Sequence, residues 1–264
     1  GFALPKIPDK QARDTVLQFF NGIHKLLMVM TQWLIKLIPL ALFGFMTTTI
    51  HQLHTGNTMT GLLQYLAVVV GANLVQGLII LPLWLRFKGI RPFRAMKRMM
   101  PALSLAFFSK SSVGSLPVTM ETIEKNWGVR SSTSRMILPL CTSLNMNGCA
   151  AFIFTTVMYI MHCQGVDFSF FSMLLWVFVA TIAAIGNAGV PMGCFFLSAS
   201  LLSGMNMSIE LMSVILPFYA LIDMLETSLN VWSDACVTKV VDHGIEETSP
   251  SLGNVPTGLS AANL

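Results

Sequence analysis

Long apolar runs separated by short polar segments dominate this chain. Residues 26–50, 61–85 and 136–161 each supply the roughly 20 apolar residues that a transmembrane helix needs. Residues 211–241 form a further apolar run, which carries polar side chains at helical spacing. The pattern predicts an all-α integral membrane protein.

Two other apolar regions are interrupted in the middle. The polar segment SKSSVGS (109–115) breaks residues 99–130, and GNAGVPMG (186–193) breaks residues 168–208. Glycine and proline at this density unwind a helix, and exposed backbone at membrane depth is tolerated only against protein or a water-filled cavity. We therefore predict two re-entrant helical hairpins, the arrangement that marks a transporter's binding site. Two proline-kinked spans are the alternative.

These elements divide the chain into three parts. We expect scaffold-side spans and a basic cytoplasmic loop in residues 1–98, a transport core in 99–243, and a disordered tail in 244–264. The core would consist of hairpin 1 (99–130), a span (136–161), hairpin 2 (168–208) and a final span (211–241).

The composition supports a membrane location. Of the 264 residues, 54% are hydrophobic and only 11% are charged, against about 25% charged in soluble domains. The mean hydropathy is +0.68. The five cysteines show no paired spacing, so we interpret them as apolar packing residues rather than a disulfide set or a metal site: Cys141, Cys149, Cys163, Cys194 and Cys236.

The basic residues predict the orientation. The segment RFKGIRPFRAMKR (86–98) holds six basic residues and no acidic one, whereas the loops HQLHTGNTMT, CQGVDFS and MNMSIE hold no lysine or arginine. By the positive-inside rule, the basic segments face the cytoplasm. We expect a multi-pass protein of a bacterial-type inner membrane.

A polar stripe runs along the last span. At 100° per residue its members fall within a sector of about 80°, and they are Asp223, Glu226, Asn230 and Asp234, with Thr227 and Thr238 beside them. Such a stripe faces the bundle interior or a transport pathway. A bound cation, a proton or a cationic substrate would balance the carboxylates; packing pairs with Lys36 or Lys110 are the alternative.

A second polar cluster interrupts the span 136–161. The segment TSLNMNGCA (142–150) places Asn145, Asn147 and a glycine at mid-membrane, which predicts local unwinding. Amide, carbonyl and carboxylate oxygens are what a hard cation such as sodium prefers, so these residues and the Asn230–Asp234 stripe predict a sodium site. In the alternative, the two asparagines only join helices.

Four motifs together resemble those of the dicarboxylate/amino acid:cation symporter family. They are SKSSVGSLPVT, NMNGC, IGNAGVPMG and DMLETSLNVWSD, and the resemblance covers residues 15–243, the family's C-terminal core. The family's first four spans have no counterpart here, which suggests a fragment. The resemblance implies an inverted-repeat symporter that is no enzyme, uses no cofactor besides the coupled sodium or proton, carries an amino acid or dicarboxylate, forms a homotrimer in membrane lipid and binds no nucleic acid.

The resemblance also implies roles for individual substrate-site residues. Ser111 and Ser112 match the hairpin tip that holds the substrate carboxylate, and Val190 matches the gate formed by the second hairpin. Asp223 matches the aspartate that receives the substrate's amino group, and Asn230 matches a substrate-contacting asparagine.

Sodium ligands follow from the same resemblance. Asn145 and Asp234 match sodium-binding positions. Backbone carbonyls would line a second cation site at Ala184, Ile185 and Asn187.

Three positions depart from the family's pattern. Asn147 stands where the family has an aspartate of one cation site, and Cys149 replaces a threonine near the substrate side chain. Glu226 replaces the arginine that pairs with an acidic side chain. We therefore expect fewer coupled sodium ions and a neutral or cationic amino acid as substrate, unless Lys110 serves an acidic one. A channel, an inactive fragment and an intramembrane hydrolase are rival interpretations.

Overall fold

The computed structural model describes residues 8–23, 25–26, 29–30, 33, 58–187 and 189–248. The chain forms two compact units, residues 1–54 and 55–264. In the first unit, the described residues from 10 onward are helical, and Asp9 accepts the backbone N–H of Gln11 at 2.9 Å. Most of the predicted span 26–50 lies outside the described residues, as does Lys36.

The second unit begins with a long helix that contains one π-helical turn. Helix α1 (Thr58–Val75) continues through Gln76–Ile80 into α2 (Leu81–Phe87). The π-helical turn includes Gly77, whose carbonyl accepts the indole N–H of Trp232 at 3.2 Å. A Cβ at Gly77 would come within 2.9 Å of Leu229 Cδ1, so a larger residue there would displace the end of the Leu229 side chain.

The first interrupted region forms a helix–turn–helix pair, which we call hairpin 1. Its arms are α3 (Pro92–Ser109) and α4 (Ser112–Trp127). Lys110 turns the chain with a left-handed φ of 53°, and the Ser111 hydroxyl then caps α4 by accepting the N–H of Gly114 at 3.0 Å. The first arm begins earlier than predicted because Pro92, at its first turn, is well suited to start a helix.

The predicted break in the next span is present. Helices α5 (Ser131–Leu144) and α6 (Asn147–Cys163) are separated by Asn145 and Met146, neither of which has helical backbone angles. The NMNG segment therefore opens the helix where the polar cluster was expected to unwind it.

The second interrupted region also forms a pair of helices, here called hairpin 2. Its arms are α7 (Phe170–Ile185) and α8 (Gly193–Gly204), and a long final helix, α9 (Glu210–Thr248), follows. The helix α9 extends five residues into the predicted tail, so that prediction is wrong for residues 244–248. These residues contain no proline, and glutamates favour the helix.

The helices are anchored to one another at the end of the bundle that carries the basic segment. The buried Asp242 carboxylate pairs with Arg130 at 2.8 Å and with Lys239 at 3.5 Å, and it accepts the Thr133 hydroxyl at 3.0 Å. These contacts tie the start of α5 to the end of α9.

A hydrogen-bonded carboxylate links hairpin 1 to α5 at the same end. Glu124 of α4 accepts the hydroxyls of Ser134 and Ser131. The two hydrogen bonds, Ser134's first, lower the pKa of Glu124 from its ordinary value because they favour the charged form.

Three helical stretches are long and apolar enough to cross a membrane, among the described residues: Gly61–Phe87, Ser131–Cys163 and Glu210–Ile245. The described residues contain helices and no strands. The predicted all-α membrane architecture is therefore confirmed. Residues 61–87 pack on the core through Trp232 and through the hydrogen bond of Tyr65 to Thr156 at 2.7 Å. The division at residue 98 into scaffold and transport parts stays a prediction.

Candidate functional site

The turns of the two hairpins meet. The hydroxyl of Ser111 donates to the carbonyl of Gly189 at 3.0 Å, across 78 residues of sequence. Ser112 is buried beside this contact and Val190 is half-buried. The structure thus brings together the serine-rich tip and the GNAGVPMG turn.

Gly189 is held tightly between the two turns. Its φ is +65°, and an added Cβ would lie 3.0 Å from Val113 Cγ2 and 3.3 Å from Met146 Cε. A β-branched residue is strained at this φ in addition to the clash. Any opening of hairpin 2 over the site must move this residue.

We expect Gly189→Val to slow substrate transport at least about tenfold while equilibrium substrate affinity changes less, because the strain falls on the moving turn. Uptake rate in proteoliposomes and binding by calorimetry measure the two quantities. Gly204→Val is the matched control, since no atom lies within 4 Å of a Cβ there. Equal losses of rate and affinity in Gly189→Val would make this turn a binding element and not a gate.

The polar stripe of α9 lies in the interior of the unit. Its buried members include Asp223, Glu226, Thr227, Asn230 and Asp234. The three carboxylates form no ion pair with any lysine or arginine that the structure describes. The alternative interpretation, a packing pair with Lys110, is therefore not observed among these residues, and Lys36 lies outside them.

Asp223 faces hairpin 2. One carboxylate oxygen accepts the backbone N–H of Met192 at 3.3 Å, and the other accepts the Tyr219 hydroxyl at 3.5 Å. An ammonium group of a ligand could replace these weak donors.

Asn230 binds the start of α6. Its Oδ1 accepts the N–H of Gly148 at 2.8 Å, and its Nδ2 donates to the sulfur of Cys149 at 3.3 Å. The break after Leu144 makes this possible, because the first N–H groups of a helix have no partner within it.

Asp234 and the NMNG segment form a second polar group. The Asn145 amide donates to Asp234 Oδ1 at 3.0 Å and to the Ser233 hydroxyl at 2.8 Å. Asn147 donates to the same hydroxyl at 2.6 Å. The structure therefore brings together Asn145, Asn147 and Asp234, whose oxygens suit a hard cation. Ser233 is a neighbour that the sequence interpretation missed.

Glu226 is the most isolated carboxylate of the stripe. Its side chain is 1% exposed, and neither oxygen has a hydrogen-bond partner among the described residues. Gly148 packs against its backbone, since a Cβ on Gly148 would lie 3.0 Å from Glu226 Cα.

Asn73 of α1 is a further polar residue that the sequence interpretation missed. The same Cβ on Gly148 would lie 2.9 Å from Asn73 Oδ1, so the two residues are neighbours. Asn73 is 1% exposed, its amide nitrogen donates to the Val69 carbonyl at 2.9 Å, and its oxygen has no hydrogen-bond partner within the described ranges. An amide in the middle of the apolar segment VVVGANLV was the available signal.

The proposed second cation site lies at the end of α7. The Ala184 carbonyl accepts the N–H of Asn187 at 3.1 Å, and Ala184 is buried whereas Ile185 is 42% exposed. Asn187 is buried and points its amide at two sulfurs, those of Cys149 at 3.1 Å and Cys194 at 3.3 Å.

The interpretation of all five cysteines as packing residues is wrong for two of them. The structure pairs Cys149 of α6 with Cys194 of α8, with their Cα atoms 5.6 Å apart and their sulfur atoms in contact. The spacing of 45 residues could not reveal the pair, because only the packing of hairpin 2 on α6 brings these residues together. Cys141, Cys163 and Cys236 are unpaired.

A buried polar site between two helical hairpins, inside an all-α membrane bundle, is the architecture of a secondary transporter. The chain belongs to the sodium:dicarboxylate symporter family, whose sequence profile matches residues 1–244. It is therefore a member of a transporter family and not of an enzyme family.

The chain is similar to several mammalian transporters. It is 28% identical over 250 residues to neutral amino acid transporter B(0) of Homo sapiens, covering 94% of this chain and 46% of the relative. It is 29% identical over 237 residues to the Bos taurus protein of the same name, covering 89% and 44%. Neutral amino acid transporter A of Homo sapiens is 27% identical over 245 residues, covering 92% and 46%. The chain thus spans about half the length of the curated relatives it matches.

Proposed function

We propose that this chain forms the substrate- and cation-binding core of a symporter that takes up a neutral or cationic amino acid together with sodium. The observation that carries this proposal is the buried stripe on α9, in which Asp223, Glu226 and Asp234 lack a described lysine or arginine partner. Each buried carboxylate needs a balancing cation or a proton. Sodium at Asp234 and a substrate ammonium at Asp223 would supply two of these positive charges.

In this proposal the substrate lies between the hairpin turns and α9. The donors of the Ser111–Ser112 tip bind its carboxylate, Asp223 binds its amino group, and Val190 belongs to the turn that closes over it. Its side chain extends toward Cys149 and Glu226, with Thr227 and Asn230 beside it. The relatives described above are neutral amino acid transporters, which supports a neutral amino acid as the substrate.

Sodium is proposed at two places. Asn145 and Asp234 are hydrogen-bonded neighbours with oxygens that suit the ion, and Asn230 reaches the same helix start. The carbonyls of Ala184, Ile185 and Asn187 would form the other place. Asn147 lacks the charge of an aspartate, so we propose that fewer sodium ions move per cycle than in relatives with that aspartate.

The membrane arrangement is part of the proposal. The two hairpins are re-entrant, the basic segment 86–98 faces the cytoplasm of a bacterial-type cell, and the protein acts as a homotrimer. The six basic residues of segment 86–98 support this orientation under the positive-inside rule.

An acidic substrate is the second candidate. Lys110 supports it, because this residue forms the turn of hairpin 1, next to the Ser111 side chain that contacts hairpin 2. In that case Lys110 would pair with the substrate's second carboxylate and offset Glu226.

Uptake into proteoliposomes tests the proposal. Labelled serine, arginine and aspartate are offered under an inward sodium gradient, an inward proton gradient, or neither. We expect saturable accumulation of serine or arginine that requires the sodium gradient. Accumulation driven only by protons would reject sodium coupling, and substrate-independent current without accumulation would make the protein a channel.

A further inference from the structure

Three potential metal ligands converge in the interior of the unit. The sulfurs of Cys149 and Cys194 and a carboxylate oxygen of Glu226 all lie within 4.8 Å of one another. The three residues are buried and come from three elements, α6, α8 and α9. A metal ion bound to all three side chains would connect hairpin 2 to α6 and α9.

The Glu226 carboxyl group is available for a ligand. Neither of its oxygens has a hydrogen-bond partner in the described parts of the chain, and the residue is 1% exposed. Burial of an uncompensated carboxylate is costly. A disulfide between the two cysteines would leave both Glu226 oxygens without a partner, whereas a metal ion held by the two sulfurs would give one of these oxygens a ligand bond.

The donor set selects a soft divalent ion. Zinc takes cysteine sulfur at about 2.3 Å and carboxylate oxygen at about 2.0–2.2 Å, in a four-coordinate site. Thiolates disfavour sodium, magnesium and calcium. The Asn187 amide nitrogen adjoins both sulfurs, and its side-chain oxygen is buried with no described partner. A rotation of this amide would turn the oxygen to the ion as the fourth ligand.

We propose that Cys149, Cys194 and Glu226 bind one zinc-class ion in the reduced protein, and that this ion holds hairpin 2 closed and stops transport. Binding replaces the two thiol protons with two sulfur–metal bonds and releases those protons to solvent. The effect on transport rests on the proposed function, whereas the binding of the ion does not.

The test for binding uses cadmium as the probe. Purified protein is reduced with a phosphine, which has no thiol of its own, and titrated with Cd²⁺ while the thiolate-to-cadmium charge-transfer absorption is recorded. We expect one ion per chain with the absorption of two thiolates. Cys149→Ser and Cys194→Ser should each weaken binding at least about 100-fold, the upper end of what losing an outer-shell partner costs. Glu226→Gln should weaken it less.

Cys236→Ser is the matched control, because this cysteine is also buried but unpaired. It should leave the titration unchanged. Thermal unfolding of each variant confirms that it folds, and Cys149→Ala replaces Cys149→Ser if the serine variant does not. No thiolate absorption in the reduced wild type would overturn the proposal, as would cadmium binding by both cysteine variants that is as tight as in the wild type. If the thiols react only after reduction and the reduced protein binds no metal, the two cysteines form a disulfide pair and the metal site is rejected.

Transport separates this inference from the proposed function. Zinc should stop uptake by the wild type and by Cys236→Ser, whereas Cys194→Ser should need at least about 100-fold more zinc for the same fractional inhibition of its own uptake. Sodium-coupled uptake with no binding of cadmium or zinc would reject only the metal site. If the protein binds the metal but transports none of the substrates, the metal site is supported and the proposed symporter function is rejected.

Discussion

Glu226→Arg is expected to turn a protein that transports aspartate poorly into one that transports it well, with about a 100-fold gain in aspartate uptake. A second substrate carboxylate would meet the buried Glu226 charge at a few Å, which costs several kcal/mol at an effective dielectric constant near 20. Each 1.4 kcal/mol corresponds to a tenfold change in affinity. Arginine would replace that repulsion by a bidentate pair.

Competition uptake with aspartate, serine and arginine measures this effect. Glu226→Gln is the matched control: it has nearly the same shape and no charge, so aspartate uptake should rise by an intermediate amount. Tight aspartate transport by the wild type that is lost in Lys110→Ala would contradict the prediction. It would place the substrate-pairing charge on hairpin 1 rather than on α9.

Asp234→Asn is expected to raise the sodium concentration for half-maximal uptake by about 100-fold. Asp234 is 1% exposed, and its carboxylate accepts the neutral Asn145 amide at 3.0 Å and forms no ion pair with a described lysine or arginine, so a bound cation would gain most of its interaction energy from this charge. The loss corresponds to about 2.8 kcal/mol at tenfold per 1.4 kcal/mol. Because coupling between ligands is reciprocal, substrate should also lose part of its effect on sodium affinity.

Sodium titrations of uptake and of substrate binding measure this prediction. Asp242→Asn is the matched control, because Asp242 is an equally buried aspartate of α9 that Arg130 and Lys239 already neutralise. It should lower thermal stability and leave the sodium dependence alone. The same sodium requirement in Asp234→Asn as in the wild type would remove Asp234 from the cation site.

The helices were predictable because local chemistry decides them. The break at NMNG, the αL turn at Lys110 and the turn around Gly189 all occur where polar and glycine residues interrupt apolar runs. The end of α9 was not predictable from the same signals. Asp242 pairs with Arg130 from 112 residues away, and that contact stabilises a helix end that hydrophobicity alone does not mark.

The members of the site were predictable only in part. Asp223, Glu226, Asn230 and Asp234 share one face of one helix, so their spacing was enough to place them together. Asn73 lies on a different element, about 150 residues earlier in the chain, and a single asparagine in an apolar span carries no such spacing.

The sequence by itself determined that this protein is an all-α membrane transporter core with two interrupted helical regions and a polar final helix. These features depend on the spacing of apolar residues and on glycine and proline, which decide helix formation within a few residues of the chain. Only the tertiary structure decided that Ser111 contacts Gly189, and that Cys149 and Cys194 meet beside Glu226. These residues belong to helices whose approach depends on how side chains of distant segments pack, and the spacing of residues along the chain does not contain that information.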